Sequence, residues 1–216
     1  DGRWHLGSGA TLLPAGTIEG SEVLLPAVPG GGALLPRSSG EGGAADAPVL
    51  DVIFPIVHGR GGEDGALQGL LELADVPYVG SNVLSSAVQM DKDVAKRLLA
   101  AAGLPVVPWV TLRASAIEAD GGREAAARIA GELGLPVFVK PANSGSSVGI
   151  TKARDEGELA ASLREAARYD DKIIAERALD AREIEVAVLG NETPEASVPG
   201  EIVPHHEFYD LSLIHI

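Results

Sequence analysis

The chain is predicted to be an α/β protein, and three stretches carry that prediction. A helical periodicity ending in Gly-Leu-Pro-Val occurs twice, at 103–106 and at 134–137, with a strand expected after each. Val49–Val57 is an almost continuous apolar run, the pattern of a buried strand, and it closes on His58-Gly59. Val137-Phe138-Val139-Lys140 is a short run of β-formers that opens into the small-residue loop Asn143-Ser144-Gly145-Ser146-Ser147.

The elements follow in order. Residues 1–25 are short apolar pieces divided by glycines, and Pro26–Pro48 is a Gly/Pro/Ala-rich loop or insertion. After the run ending at Val57 come glycines 59, 61, 62 and 65, and a helix is expected from near Asp64, with Leu67, Leu70, Leu71 and Ala74 on one face. Pro77-Tyr78-Val79-Gly80 reads as a short strand and stop. Asp91 is suited to cap the next helix, whose Val94, Ala95, Leu98 and Leu99 share a face. A further helix is expected over Glu124–Leu133, and another after Asp155, whose Asp-Glu-Gly-Glu start resembles a capping box and whose Leu159, Leu163 and Ala166 align. Lys172–Arg177 and Glu183–Leu189 are predicted strands. A domain change is placed near residues 81–90.

Composition limits the function. The 216 residues are 45% hydrophobic, enough for a sizeable core, and only 4% aromatic. With 31 acidic against 17 basic residues the net charge is −14, which argues against nucleic acid or an anionic membrane surface as partner. An anionic ligand would have to be held locally, by lysines and amides. There is no cysteine, so thiol catalysis is excluded and a cytosolic setting is compatible. No apolar run approaches the ~20 residues of a membrane span. The start, Asp1-Gly2-Arg3-Trp4, has neither a signal-peptide pattern nor an initiator Met, so the chain is expected to begin inside a longer protein.

Four groups of residues are candidates for chemistry. Phe138 and Lys140 fall on one face of a strand, so Lys140 is partly desolvated and wants an anion. The loop after it offers backbone N–H groups and hydroxyls without bulk, the chemistry of a phosphate cradle, and this reading is preferred to a plain turn with a snorkelling lysine. His58 through Gly65 stands where a strand ends and a helix begins, where ligands bind in open parallel sheets; a structural histidine in a Gly-rich turn is the other reading. Lys92 at a helix start opposes the dipole unless an anion is near; on residue chemistry alone an exposed lysine is preferred. Glu176 and Glu183 flank a turn and are suited to accept hydrogen bonds from a ligand's amino and hydroxyl groups, or else are edge charges paired with Arg177 and Arg182. His205-His206-Glu207 has the composition of a metal cluster, but adjacent histidines on a strand point to opposite faces, so it is read as a loop.

Taken together, HGRGGEDGALQGLLELADVPYVG, SSAVQMDKDVAKRLLAAAGLPV, GLPVFVKPANSGSSVGI, IIAERALDAREIEVAVL and EASVPGEIVPHHEFYD resemble, in order, the D-alanine–D-alanine ligase family. The resemblance implies an ATP-grasp fold, preceded by a Rossmann-like N-terminal domain that is incomplete here. It implies residues 1–83 as the N-terminal substrate domain, 84–210 as a partial ATP-grasp domain and 211–216 as a foreign tail. It implies a reaction in which ATP phosphorylates the carboxylate of one D-alanine and the amine of a second attacks the acylphosphate, for peptidoglycan synthesis. Carried over position by position, Lys92 and Lys140 would contact ATP phosphates, and Ser146 and Ser147 would lie in the loop closing over them, Ser146 also near the first substrate. Glu176 would face the adenine amino group, the backbone of Arg177 and Leu179 the adenine edge, and Glu183 the ribose. His58 and Glu63 would lie near the first D-alanine, and Tyr209 and Asp210 would begin a mobile loop.

The same resemblance marks departures. The family's opening glycine-rich turn would precede Asp1. Its ligands for magnesium (or manganese), and the arginine that stabilises the intermediate, would follow the point where the chain turns to Leu211-Ser212-Leu213-Ile214-His215-Ile216. No metal ligand is therefore assigned, and ligase activity of these residues alone is expected to be absent or very low. The whole protein is expected to be cytoplasmic and homodimeric, with two D-alanine molecules as substrates and no nucleic-acid or membrane partner. Two alternatives are a ligase of another carboxylate–amine or D-alanine–D-lactate pair, and a non-catalytic nucleotide-binding fragment.

Overall fold

Val137, Val139 and Pro141 are wholly buried while Phe138 and Lys140 between them are half-buried, the period-two signature of a strand whose faces have different cover. The computed structural model describes residues 4–7, 20–30, 32–36, 48–145 and 147–203. Ser146, His205-His206-Glu207, Tyr209, Asp210 and the 211–216 segment lie outside the described residues. The chain divides into two compact units, Asp1–Ala87 and Val88–Ile216.

In the first unit, strands β1 (Trp4–Leu6), β2 (Ser21–Leu24) and β3 (Leu35–Pro36) form an antiparallel sheet in that order, with Trp4 opposite Val23 and Leu24 opposite Leu35. Helix α1 (Ala66–Ala74) supplies Leu71 and Ala74 to a small core with Val23, Leu25, Leu34 and Val76, and Leu67 and Leu70 pack against it. The expected buried strand over Val49–Val57 is not formed. Among the described residues its only bridges are Val49 to Ala33 and, in parallel, Ile53 to Tyr78. Phe54, Ile56 and Val57 are exposed. Apolar sequence does not make a strand without a ladder, and single bridges do not supply one. Helix α2 (Val83–Met90), which gave no distinct sequence signal, follows.

The second unit takes in the end of α2 and then α3 (Lys92–Ala101), where Asp91 accepts hydrogen bonds from the backbone N–H groups of Asp93 and Val94. Gly103 donates to Ala100 O and Leu104 to Leu99 O, a Schellman end that explains the first Gly-Leu-Pro-Val. The apolar residues expected to share a face of α3 do not make its buried side: Leu98 and Leu99 are exposed and Asp93 is the buried residue. This helix docks through polar side chains.

Strands β4 (Trp109–Arg113), β5 (Val137–Pro141), β6 (Thr151–Ala153) and β7 (Lys172–Arg177) form a sheet of order β4-β7-β5-β6, antiparallel throughout. Helices α4 (Arg123–Leu133) and α5 (Glu156–Ala166) cover one face. Asp155 caps α5 by accepting from Glu158 N, as expected, while the Glu158 side chain reaches back one residue beyond the cap, to Arg154 N, rather than to Asp155 N as a strict capping box would. The core between sheet and helices contains Ile129, Val137, Val139, Leu159, Leu163, Ile173 and Ala175. Leu163→Ala in this core should cost about 2–5 kcal/mol, read as a lower urea midpoint with unchanged slope. Beyond β7 the predicted strand Glu183–Leu189 is split into β8 (Glu183–Glu185) and β9 (Val188–Leu189), which pair with β11 (Gly200–Ile202) and β10 (Glu195–Ala196) respectively.

Candidate nucleotide site

The other face of the four-stranded sheet is polar because period two puts Trp109, Thr111, Phe138, Lys140, Lys172, Ile174 and Glu176 on it together. Glu176 stands directly opposite both Trp109 on β4 and Phe138 on β5. Its side chain is 11% exposed, and its carboxylate holds Lys140 Nζ at 2.5 Å through Oε2 and Lys96 Nζ at 3.1 Å through Oε1. Burial alone would raise its pKa; Lys140 and then Lys96 reverse that and hold it below the usual carboxylate range. The arginines that the alternative, edge-charge reading would pair with Glu176 and Glu183 are engaged elsewhere: Arg177 Nε donates to Leu133 O at 2.9 Å and Arg182 lies 3.6 Å from Glu201.

Lys92 is not the exposed lysine its sequence context suggested. Its ammonium donates to Ser144 O at 2.5 Å and Ala142 O at 3.4 Å, and its backbone N–H to Ala142 O at 3.1 Å. Burial first, and the nearby Lys140 charge second, push its pKa down. It therefore ties the start of α3 to the start of the small-residue loop. Asp170 holds the same loop from the far side, accepting from Asn143 N at 2.7 Å and Asn143 Nδ2 at 2.9 Å. Ser147 sits at φ 57, and the loop closes with Ser144 Oγ donating to Val148 O at 3.2 Å.

A second polar knot fixes α3 on the sheet. Asp93 Oδ1 accepts from Arg97 Nε at 2.9 Å, Trp109 Nε1 at 3.0 Å and Thr111 Oγ1 at 2.8 Å. Lys172 Nζ reaches Asp91 at 2.5 Å and Asp93 at 3.8 Å. Two lysines, 96 and 140, thus pair with one carboxylate at the end of β7, and Lys92 stands near Lys140 at the loop, so cationic groups gather locally in a chain of net charge −14. Lys96 was missed from the sequence, although it stands four residues after Lys92 and so on the same helix face.

The adjoining strand end carries one further feature. Arg177 N–H donates to Pro108 O at 3.1 Å, but proline has no N–H to return, so the Arg177 carbonyl receives no bond from residue 108. An amino group beside this edge would find an acceptor there. Leu179 is exposed just beyond, and Glu183 is exposed on β8 opposite Ile202.

In the first unit His58 Nδ1 is 3.8 Å from Glu63 Oε1, both side chains largely exposed. Glu63 also accepts from Gly59 N at 2.5 Å, and Asp64 accepts from Gly61 N and Ala66 N. Burial would raise the Asp64 pKa, but these amide bonds lower it. A Cβ on Gly62 would lie 2.5 Å from Val57 O, so this turn needs glycine there. No group of three or more His, Asp or Glu side chains among the described residues is placed to hold a metal. No described helix is long and apolar enough to cross a membrane.

An antiparallel sheet with two helices on one face and, on the other, convergent lysines beside a small-residue loop is the architecture of an ATP-grasp protein. The solved D-alanine–D-alanine ligase from Coxiella burnetii superposes with TM-score 0.71 at 41% identity, over 85% of this chain and 51% of that one. The chain belongs to the D-alanine–D-alanine ligase family: the family models described as D-ala D-ala ligase N-terminus and C-terminus match residues 19–81 and 98–213. The D-alanine–D-alanine ligase of Thermoanaerobacter sp. is 58% identical over 161 residues, which cover 74% of this chain and 44% of that protein. D-alanine–D-alanine ligase A of Chromobacterium violaceum is 51% identical over 96% of this chain and 57% of its own length. The VanG D-Ala:D-Ser ligase of Enterococcus faecalis is also similar, with TM-score 0.70 and 35% identity over 84% of this chain and 49% of that one. The chain spans about half the length of the curated relatives it matches.

Proposed function

We propose that this chain is the nucleotide-binding part of an ATP-dependent ligase that joins two D-alanines through an acylphosphate, for peptidoglycan synthesis. The observation that carries the proposal is the pairing of Lys96 and Lys140 with Glu176, beside a loop to whose Ser144 carbonyl Lys92 is bound. Lys92 and Lys140 neutralise phosphate oxygens, and Ser146 and Ser147 belong to the loop that shields them. The Arg177 carbonyl and the Glu176 carboxylate accept from the adenine amino group, Leu179 N–H donates to the ring edge, and Glu183 accepts from the ribose. His58 and Glu63 serve the first D-alanine. On this reading 1–83 is the substrate domain and 84–210 the ATP-grasp domain of a cytoplasmic homodimer.

The lysines and the small-residue loop suit a nucleoside triphosphate, whereas the described residues offer no group of three His, Asp or Glu side chains for magnesium or manganese. Bound ATP supplies the phosphoryl group. This chain's own residues hold its charge in a partly desolvated site, where each ammonium counts for more than in water.

Thermal unfolding with and without ATP tests the proposal. Millimolar ATP should raise the melting temperature by a few degrees, and Lys140→Met should abolish that increment relative to its own ATP-free baseline. An ATP shift that survives Lys140→Met, or no shift in either protein, would overturn it.

A further inference from the structure

Glu176 is shared by two lysines whose anchoring differs. Lys96 has two further supports: it donates to Val107 O at 3.1 Å, and its ammonium stands 5.4 Å from the Trp109 ring centroid. Among the described residues Lys140 has only the Phe138 ring besides the carboxylate, at 5.8 Å, and is the more exposed of the pair, 22% against 15%. Lys92 stands close enough to Lys140 for the two charges to repel. A phosphate arriving beside Lys92 and the loop would attract Lys140 away from Glu176. That move would strand a buried carboxylate, which is costly unless a second cation stays behind.

We propose that Lys96 is a positioning residue, the standing counter-charge that keeps Glu176 ionised and so releases Lys140 to bind phosphate. It touches no ligand itself. With Lys96 gone, Glu176 has one cation left and Lys140 is pinned to it. The inference rests on the phosphate reading of Lys140 given above.

The test uses the whole chain and four proteins: unmutated, Lys96→Met, Glu176→Gln and the double variant, with Lys96→Arg as the conservative control. In the first arm no ligand is present. The rate at which limiting acetic anhydride modifies Lys140 is followed by peptide mass spectrometry against an added amine standard. Lys96→Met should slow Lys140 about three- to tenfold, Lys96→Arg should not, and the double variant should match Glu176→Gln. In the second arm inorganic tripolyphosphate, which has no base or sugar, is titrated calorimetrically. Lys96→Met should weaken binding about fivefold or more in the native background and not at all in the Glu176→Gln background. Equal losses in both backgrounds would mean that Lys96 acts on phosphate by its own charge, and would overturn the proposal. An unchanged Lys140 rate in Lys96→Met would do the same. No tripolyphosphate binding by the unmutated chain would instead sink the phosphate reading, and the acetylation arm would still decide whether Lys96 governs Lys140.

Discussion

Asp93→Ala should lower the stability of the second unit by about 3 kcal/mol, because it leaves the Trp109 indole N–H and the Thr111 hydroxyl without their acceptor and detaches α3 from β4. Asp93→Asn keeps an acceptor oxygen and should cost less, about 1–2 kcal/mol. The two variants differ from the parent in acid as well. Burial opposes ionisation of Asp93, but the hydrogen bonds from Arg97, Trp109 and Thr111 prevail and bring its pKa to about 2. The folded value lies below the unfolded one, so the contribution is fully present above pH ~4 and disappears as pH falls toward 2. Each tenfold change in proton affinity is worth about 1.4 kcal/mol, so the whole contribution is about 2–3 kcal/mol. Urea unfolding followed by Trp109 fluorescence from pH 7 to about 2.5 should show this acid slope in the parent. The difference between parent and Asp93→Asn should shrink as the acid is approached. A constant difference across that range would show that Asp93 is not held ionised by its partners.

Gly149→Ala should be the most damaging single-methyl change near the candidate site. Its φ is +74, and a Cβ there would lie 2.7 Å from Tyr169 Cδ2 and 2.9 Å from Pro141 Cγ. The Tyr169 ring is partly exposed and can yield, but Pro141 is wholly buried in β5 and cannot. Left-handed strain and overpacking together should cost about 2–4 kcal/mol. The damage falls at the end of the loop that Lys92 and Asp170 hold, so the ATP-induced rise in melting temperature should diminish as well. Equal stability and an equal ATP effect in Gly149→Ala would show that this turn tolerates a side chain.

Much of the second unit was legible in the chain. Asp155 with Glu158, the glycine after α3 and the alternation through Val137–Pro141 each express a local rule, and each is formed as expected. Lys140 was legible as a candidate because period two fixes which face a strand residue takes, and Glu176 because it ends an apolar strand at a turn. Their pairing was not, since the two are 36 residues apart and only the β5–β7 register brings them together. Lys96, Asp93 and Lys172 were not singled out, because a charged residue on a helix or strand looks alike in sequence whether it faces water or a neighbouring carboxylate. The apolar run at 49–57 misled for the opposite reason: hydrophobicity says that a segment would gain from burial, not that a partner strand is there to pair with it.

The sequence alone determined the α/β class, the helix ends and the small-residue loop following a lysine-bearing strand, because these depend on backbone preferences within a few residues. The ordered motifs also pointed to the family. Only the tertiary structure decided which charges meet. The β5–β7 register sets Glu176 opposite Lys140's strand, and α3 brings Lys96 to the same carboxylate and presents Asp93, rather than Leu98 and Leu99, to Trp109 and Thr111 of the sheet. Electrostatic pairing depends on distances of a few ångströms between residues far apart in the chain, and no local pattern encodes those distances.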